Sequence, residues 1–360
     1  MNNPWPVDTP LIEDEILSSW IVRTAFENGS YPLAWSWCLW GRRRIWTIDI
    51  DRFCDSNLLE VLVTQNISLA SLGRATLFPW LSNVAFQDLN ALKHSWPWVN
   101  PLGSRNRDRT GGLRYCPICL DTPPAYYRRH WRFSWQHSCT VHKCILKDRC
   151  PKCSGPVCPH KLKQGATNIA ACSICGFDLR KTSVNGSTEN SLQLQLLMDQ
   201  LLDGEFVGAL PWGITNSPEL FTTVRYLVGW LNRSYLDQLS ADKYIFQLFS
   251  IEDVPYSDLH ATVERTSIER MQIWFEKIYS MFTYNLIEFA EILVVAGYTQ
   301  RSFASRIGLA VSPQVAVLLD CLPSGPVKKR EKICTNKYEN QPTPQATVEI
   351  MWHDLLLFLR

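Results

Sequence analysis

LRYCPICLDTPPAYYRRHWRFSWQHSCTVHKCILKDRCPKCSGPVCPHKLKQGATNIAACSICG, residues 113–176, carries nine of the thirteen cysteines in the chain. Eight positions sort into pairs: Cys116 and Cys119 in CPIC, Cys139 and His142 in CTVH, Cys150 and Cys153 in CPKC, and Cys172 and Cys175 in CSIC. Two intervening residues let both side chains of a pair turn inward onto one ion. Zinc takes thiolate and imidazole ligands tetrahedrally, and structural sites use four protein ligands. The spacing therefore predicts two structural Zn2+ ions. One is held by Cys116, Cys119, Cys139 and His142, the other by Cys150, Cys153, Cys172 and Cys175.

Other uses of these cysteines fit less well. Disulfides need an oxidising compartment, and nothing at the N-terminus reads as a cleavable signal peptide. A catalytic zinc needs an open coordination position, whereas both sets are complete without water, and no HExxH segment is present. Cys144, Cys158 and His160 lie close enough in sequence to replace a ligand, so the partition between the two sites stays open at this stage.

Working outward, 360 residues with 46% apolar content allow two or three domains with proper cores. Lys and Arg exceed Asp and Glu by 36 to 34, so the molecule as a whole is not a polyelectrolyte binder. No apolar run approaches the roughly 20 residues that span a bilayer. The reading is of a soluble protein of a reducing compartment, the cytoplasm, with no membrane partner. It divides into an N-terminal helical region (1–100), a tandem zinc-finger region (101–181) and a C-terminal helical domain (182–360). The fold class is mainly α, with helix-turn-helix-like helical regions on either side of the paired zinc fingers.

In the N-terminal region a helix is expected from about Asp14, where Ile16, Leu17, Trp20, Ile21 and Ala25 recur at helical spacing and Asn28-Gly29 gives a stop. Two short helices, 58–63 and 68–77, read as a candidate helix-turn-helix, with Arg74 as the only basic residue of its second helix. Arg42, Arg43 and Arg44 form a basic triplet that is either a solvated loop or a contact for phosphate or an acidic surface. Residues 101–150 hold ten Lys or Arg against three Asp or Glu. Within that span, YYRRHWRFSW is expected to be a short helix. Its Tyr127, Trp131 and Trp135 should pack on the zinc sites, leaving Arg128, Arg129 and Arg132 for a nucleic acid or an acidic partner.

The C-terminal region shows helical patterns from Ser191, at 221–232, 268–282, 286–296 and 348–359. The stretch from Thr299 has the Ala304–Gly308 spacing of a helix-turn-helix. Its second helix, SPQVAVLLDCL, lacks basic residues and offers only Gln314 for base readout. It reads as a packing or protein-contact element. Lys328, Lys329 and Arg330 form a short basic run that is either a solvated loop or a phosphate contact.

Three segments, in order, resemble the TniQ/TnsD family of transposition target selectors: PLIEDEILSSWIVRTAFENG, GRRRIWTIDIDRF with its following helices, and LRYCPICLDTPPAYYRRHWRFSWQHSCTVHKCILKDRCPKC. They cover about the first half of the chain. The resemblance implies helix-turn-helix-like units around two zinc fingers and no catalysis by this chain. It implies an adaptor between a target-recognition complex and an AAA+ ATPase regulator (TnsC/TniB-like), which recruits the transposase. In one branch of the family the target is found by a Cascade-like CRISPR effector carrying a guide RNA on target DNA. In the other the selector reads DNA itself. The moderate length leans towards the first branch, and the alternative is a direct sequence-specific DNA-binding selector or regulator. A homodimer is compatible with either. No phosphate-binding loop or acidic catalytic cluster argues for an enzyme.

Overall fold

The first helix shows how the N-terminal region is tied down. In the computed structural model, α1 (Leu17–Glu27) begins three residues later than the periodicity suggests. Residues 14–16 instead bond to 127–129 through the backbone: the Ile16 amide donates to Tyr127 O at 3.0 Å and the Arg129 amide to Asp14 O at 2.9 Å. The helix stops at Asn28, with Gly29 at φ +69°, as the Asn-Gly pair predicts. Glu15 and Arg23 form a buried ion pair across its first turns at 2.7 Å.

The structure describes residues 5–43, 45–52, 56–64, 66–84, 96–102, 112–166, 168–252, 254, 262–304 and 310–325. They fall in one unit that runs to Ser324, apart from Gly325, which opens a second unit of residues 325–360. The expected helix at 348–359 lies outside the described residues.

One face of α1, with Leu17, Trp20 and Ile21, packs on α2 (Pro32–Trp40), α3 (Ser56–Glu60) and α4 (Leu69–Arg74) through Trp40, Leu58, Leu59, Leu62 and Leu72. The sequence pattern missed α2. PLAWSWCLW is apolar on every side, so it has no helical stripe to detect. The Ser68 hydroxyl caps α4 by accepting from the Ser71 amide. After α5 (Leu81–Val84) the chain enters the cysteine-rich centre, with α6 (Pro117–Asp121) and a two-residue antiparallel ribbon of β1 (Ser138–Cys139) and β2 (Cys144–Ile145).

The C-terminal helices are α7 (Glu189–Asp203), α8 (Ser217–Asp237), α9 (Ser240–Leu248), α10 (Ile268–Met281), α11 (Leu286–Val295), α12 (Gln300–Ala304) and α13 (Pro313–Cys321). Among the described residues the chain is mainly helical. No single helix there is long and apolar enough to cross a membrane. The bent pair α10–α11 passes that test jointly, by length and composition only. In α10 the apolarity serves the core, because Met271, Trp274, Phe275, Ile278 and Met281 are all fully buried.

The largest hydrophobic cluster runs without a break from Trp98 through Tyr115, Trp131 and Trp135 to Phe221 and Trp274, across the region boundaries at 100/101 and 181/182. Trp135 is its pivot. It stacks on Phe133 at 4.2 Å, meets Trp98 edge-on at 5.7 Å and touches Phe221 at 4.9 Å.

Candidate metal centres

Each ligand pair is shaped by its own short motif. Cys116 is the N-cap of α6, Pro117 starts the first turn, and the Cys119 amide points at Cys116 Sγ at 3.5 Å. The other three pairs share one turn. The amide two residues past the middle of each loop closes back on the first cysteine's carbonyl: Lys143 on Cys139 at 2.8 Å, Ser154 on Cys150 at 2.8 Å and Gly176 on Cys172 at 2.9 Å. The residue after each second ligand is left-handed, with φ +51° at Lys143, +55° at Ser154 and +71° at Gly176. Only glycine adopts that region without a steric cost, so two of the three turns carry strain. A Cβ on Gly155 would meet Ile174 Cδ1 at 2.3 Å, so the end of that exposed side chain would have to swing aside.

The eight predicted ligands converge as two groups of four, with the ligand atoms of each group within 4.8 Å of one another. In the first, His142 Nδ1 lies 3.5, 3.3 and 3.6 Å from the sulfurs of Cys116, Cys119 and Cys139, and Cys119 Sγ lies 3.6 Å from Cys139 Sγ. In the second, Cys150 and Cys175 are 3.6 Å apart and Cys153 and Cys172 3.7 Å. A tetrahedron with metal–sulfur bonds of about 2.3 Å has sulfur–sulfur edges of about 3.7 Å, and a nitrogen ligand shortens its edges slightly. The measured separations have that size. These residues could therefore hold two metal ions.

The thiols' acidities show what a dication would relieve. Cys116 is lowered to about 6, chiefly by the hydrogen bond from Cys119, while Cys119 is held well above the ordinary thiol range. The Phe177 amide brings Cys175 down to about 7, and burial pushes Cys150 up to about 12. Crowded sulfurs cannot all ionise beside one another without a cation between them.

Among the residues left open by the spacing, His160 stacks on Trp46 at 4.9 Å, and Cys158 is buried outside both groups. Cys144 is different. It also lies outside the four-atom set, yet its Sγ is 3.5 Å from Cys116 Sγ.

Residues 6–146 match the TniQ family model. The TniQ match thus spans α1 to β2 and contains the whole first centre, while the second centre lies beyond it. None of the curated proteins matches the chain.

Within the TniQ-matched region the predicted contact arginines are placed unevenly. Arg132 is 1% exposed, and its guanidinium binds Asp49 and Asp51. It faces carboxylates inside the protein, which corrects its expected role as an outward contact. Arg128 pairs with Asp14 at 3.2 Å and lies over Tyr126; Arg129 covers Trp80 at 4.2 Å and donates to Arg74 O. The segment is not the expected short helix. It is extended around one 3-10 turn, His130–Arg132, because its backbone bonds to residues 14–16 and to Trp98 and Asn100. Tyr127, Trp131 and Trp135 are buried, in keeping with their packing role.

Arg74 and Arg129 line one cleft of about 740 Å3 together with Asp8 and Glu13, so that cleft has mixed charge. Arg42 and Arg43 are exposed on the turn after α2. Arg44, Lys328, Lys329 and Arg330 lie outside the described residues. Gln314 is buried, with its amide directed to Glu219 at 3.3 Å, so it does not face outward for base readout.

The sequence reading missed Asp49, Asp51 and His130. His130 bridges Asp14 at 2.9 Å and Asp203 at 3.2 Å and is raised to about 10 despite its burial. The acidic alternation of TIDID ahead of a basic aromatic segment is the only sequence hint of these pairings.

Proposed function

We propose that this chain is a non-enzymatic adaptor for transposition target selection, folded around two structural zinc ions. It would link a target-recognition complex, a guide-RNA CRISPR effector bound to DNA, to an AAA+ regulator and so to the transposase. The observation that carries this reading is the TniQ match over residues 6–146, which ends just after a complete set of four ligands. Zinc suits the donor set: seven thiols and one imidazole at tetrahedral spacing, with no position left for a substrate.

The exposed arginines give weaker support to the alternative, a direct reader of DNA. Arg74 is the sole basic residue of α4, and phosphate contacts normally supply the affinity of such readers. An adaptor that borrows its specificity needs no strong basic surface.

The test is affinity purification of the tagged chain from cells carrying its native locus, with nuclease treatment, followed by mass and RNA analysis. Co-purification of effector subunits with a guide RNA supports the adaptor. Recovery of an ATPase alone, with a single footprint of the pure chain on bare DNA, refutes it in favour of the direct reader.

A further inference from the structure

The first centre has a fifth candidate ligand that the four-residue set leaves unused. Cys144 Sγ sits 3.5 Å from Cys116 Sγ, the length of a tetrahedral edge, and Cys144 is only 3% exposed. Its backbone is held from both sides: it pairs with Cys139 across the ribbon and forms a bridge with Gly186. His142 is placed in the opposite way. It is the only one of the four ligands that is not buried, and it rides on the turn between β1 and β2, beside the left-handed Lys143.

A buried thiol on an anchored strand therefore stands next to the sulfurs of a centre whose remaining ligand is on a strained, exposed turn. We propose that Cys144 is a reserve ligand of the first centre, able to take the place of His142 and convert the site from three cysteines and a histidine to four cysteines. In the exchange the metal–Nδ1 bond breaks and a metal–Sγ bond forms. The Cys144 thiol proton passes to the freed imidazole, so the total charge is unchanged. The consequence is that His142 can leave the metal and meet solvent or a partner while the centre stays loaded. The inference rests on the metal reading of the site, and the experiment separates the two.

The full chain is loaded with Co2+ alone, and metal content is measured together with the thiolate-to-cobalt charge-transfer band. The natural protein should hold two ions ligated by seven thiolates. His142→Ala should fold and still hold two, with the charge-transfer intensity of eight. Cys144→Ser should also hold two, and the double variant His142→Ala with Cys144→Ser only one. The proposal is overturned if His142→Ala fails to fold, holds one ion, or holds two with the intensity of seven. It is also overturned if Cys144→Ser alone loses an ion, because Cys144 would then be a resident ligand. Fewer than two ions in the natural protein would instead remove the metal reading itself.

Discussion

Arg132 donates from Nη2 to Asp49 Oδ2 at 2.7 Å, with both side chains all but closed to solvent, and the same guanidinium binds the buried carboxylate of Asp51. Asp51 in turn accepts from the Ser18 amide and hydroxyl at 2.8 Å each, so the pair ties the cysteine-rich centre to the start of α1. Two carboxylates that are desolvated together depend on nearby cations: Arg52 feels the charge of Asp49, and Arg132 is the cation that binds both.

Removing that cation should be costly. Arg132→Ala is expected to destabilise the fold by about 3–5 kcal/mol, whereas Arg128→Ala, whose pair with Asp14 is partly exposed, should cost about 1 kcal/mol or less. Urea unfolding of both variants checks this. Equal costs would contradict the buried network.

His130 supplies a pH dependence. Its folded value of about 10 lies above the ordinary 6.5, because the bonds to Asp14 and Asp203 outweigh burial. The group's stabilisation is therefore complete below pH 6.5 and disappears as pH rises through 10. His130→Gln should be less stable than the natural chain by about 2–3 kcal/mol at pH 6, allowing for the ring's partial exposure, and should converge on it near pH 10. Denaturation of both proteins at matched pH values measures the difference.

Trp135 joins Phe133, Trp98 and Phe221 and donates its indole N–H to Asp199 at 2.9 Å. Truncation removes the pivot of the largest core cluster and leaves that carboxylate without one of its donors. Trp135→Ala should cost about 3–5 kcal/mol. A loss below 1 kcal/mol, read from the unfolding midpoint, would show that the cluster is not continuous there.

The knuckle turns predict opposite signs at matched positions. Lys143→Gly should relieve a left-handed side chain and stabilise by up to about 1 kcal/mol, while Gly176→Ala should destabilise by about 1–2 kcal/mol. No atom lies within 4 Å of a Cβ built on Gly176, so the second cost is backbone strain and not a clash. Thermal unfolding of the metal-loaded proteins distinguishes the signs.

Metal removal should unfold the centre. A strong chelator is expected to release two zinc ions per chain and abolish the near-ultraviolet circular dichroism of the tryptophans packed around it, since structural zinc binding is folding free energy. Metal analysis with the spectrum followed in parallel would show the two losses together. Release of zinc with unchanged tertiary signal would rule out a structural role.

The eight candidate ligands were legible in the sequence because the chemistry is local. A pair separated by two residues can face one point whatever the rest of the chain does, and all eight converge as the spacing implies. The long C-terminal helices were legible as well, since their apolar stripes recur at the helical period, as in α10. Helix α2 was hidden because an all-round apolar segment has no stripe, and residues 14–16 because a backbone partner 111 or more positions away holds them out of the helix.

By itself, then, the sequence determined the paired ligand sets, the stop of α1 at Asn28-Gly29 and the mainly helical character of the chain. Tertiary structure decided what the charged residues do. Whether an arginine meets solvent or a carboxylate depends on which distant segment lies opposite it. Arg132 finds Asp49 and Asp51 more than 80 positions away, a pairing that no local pattern encodes.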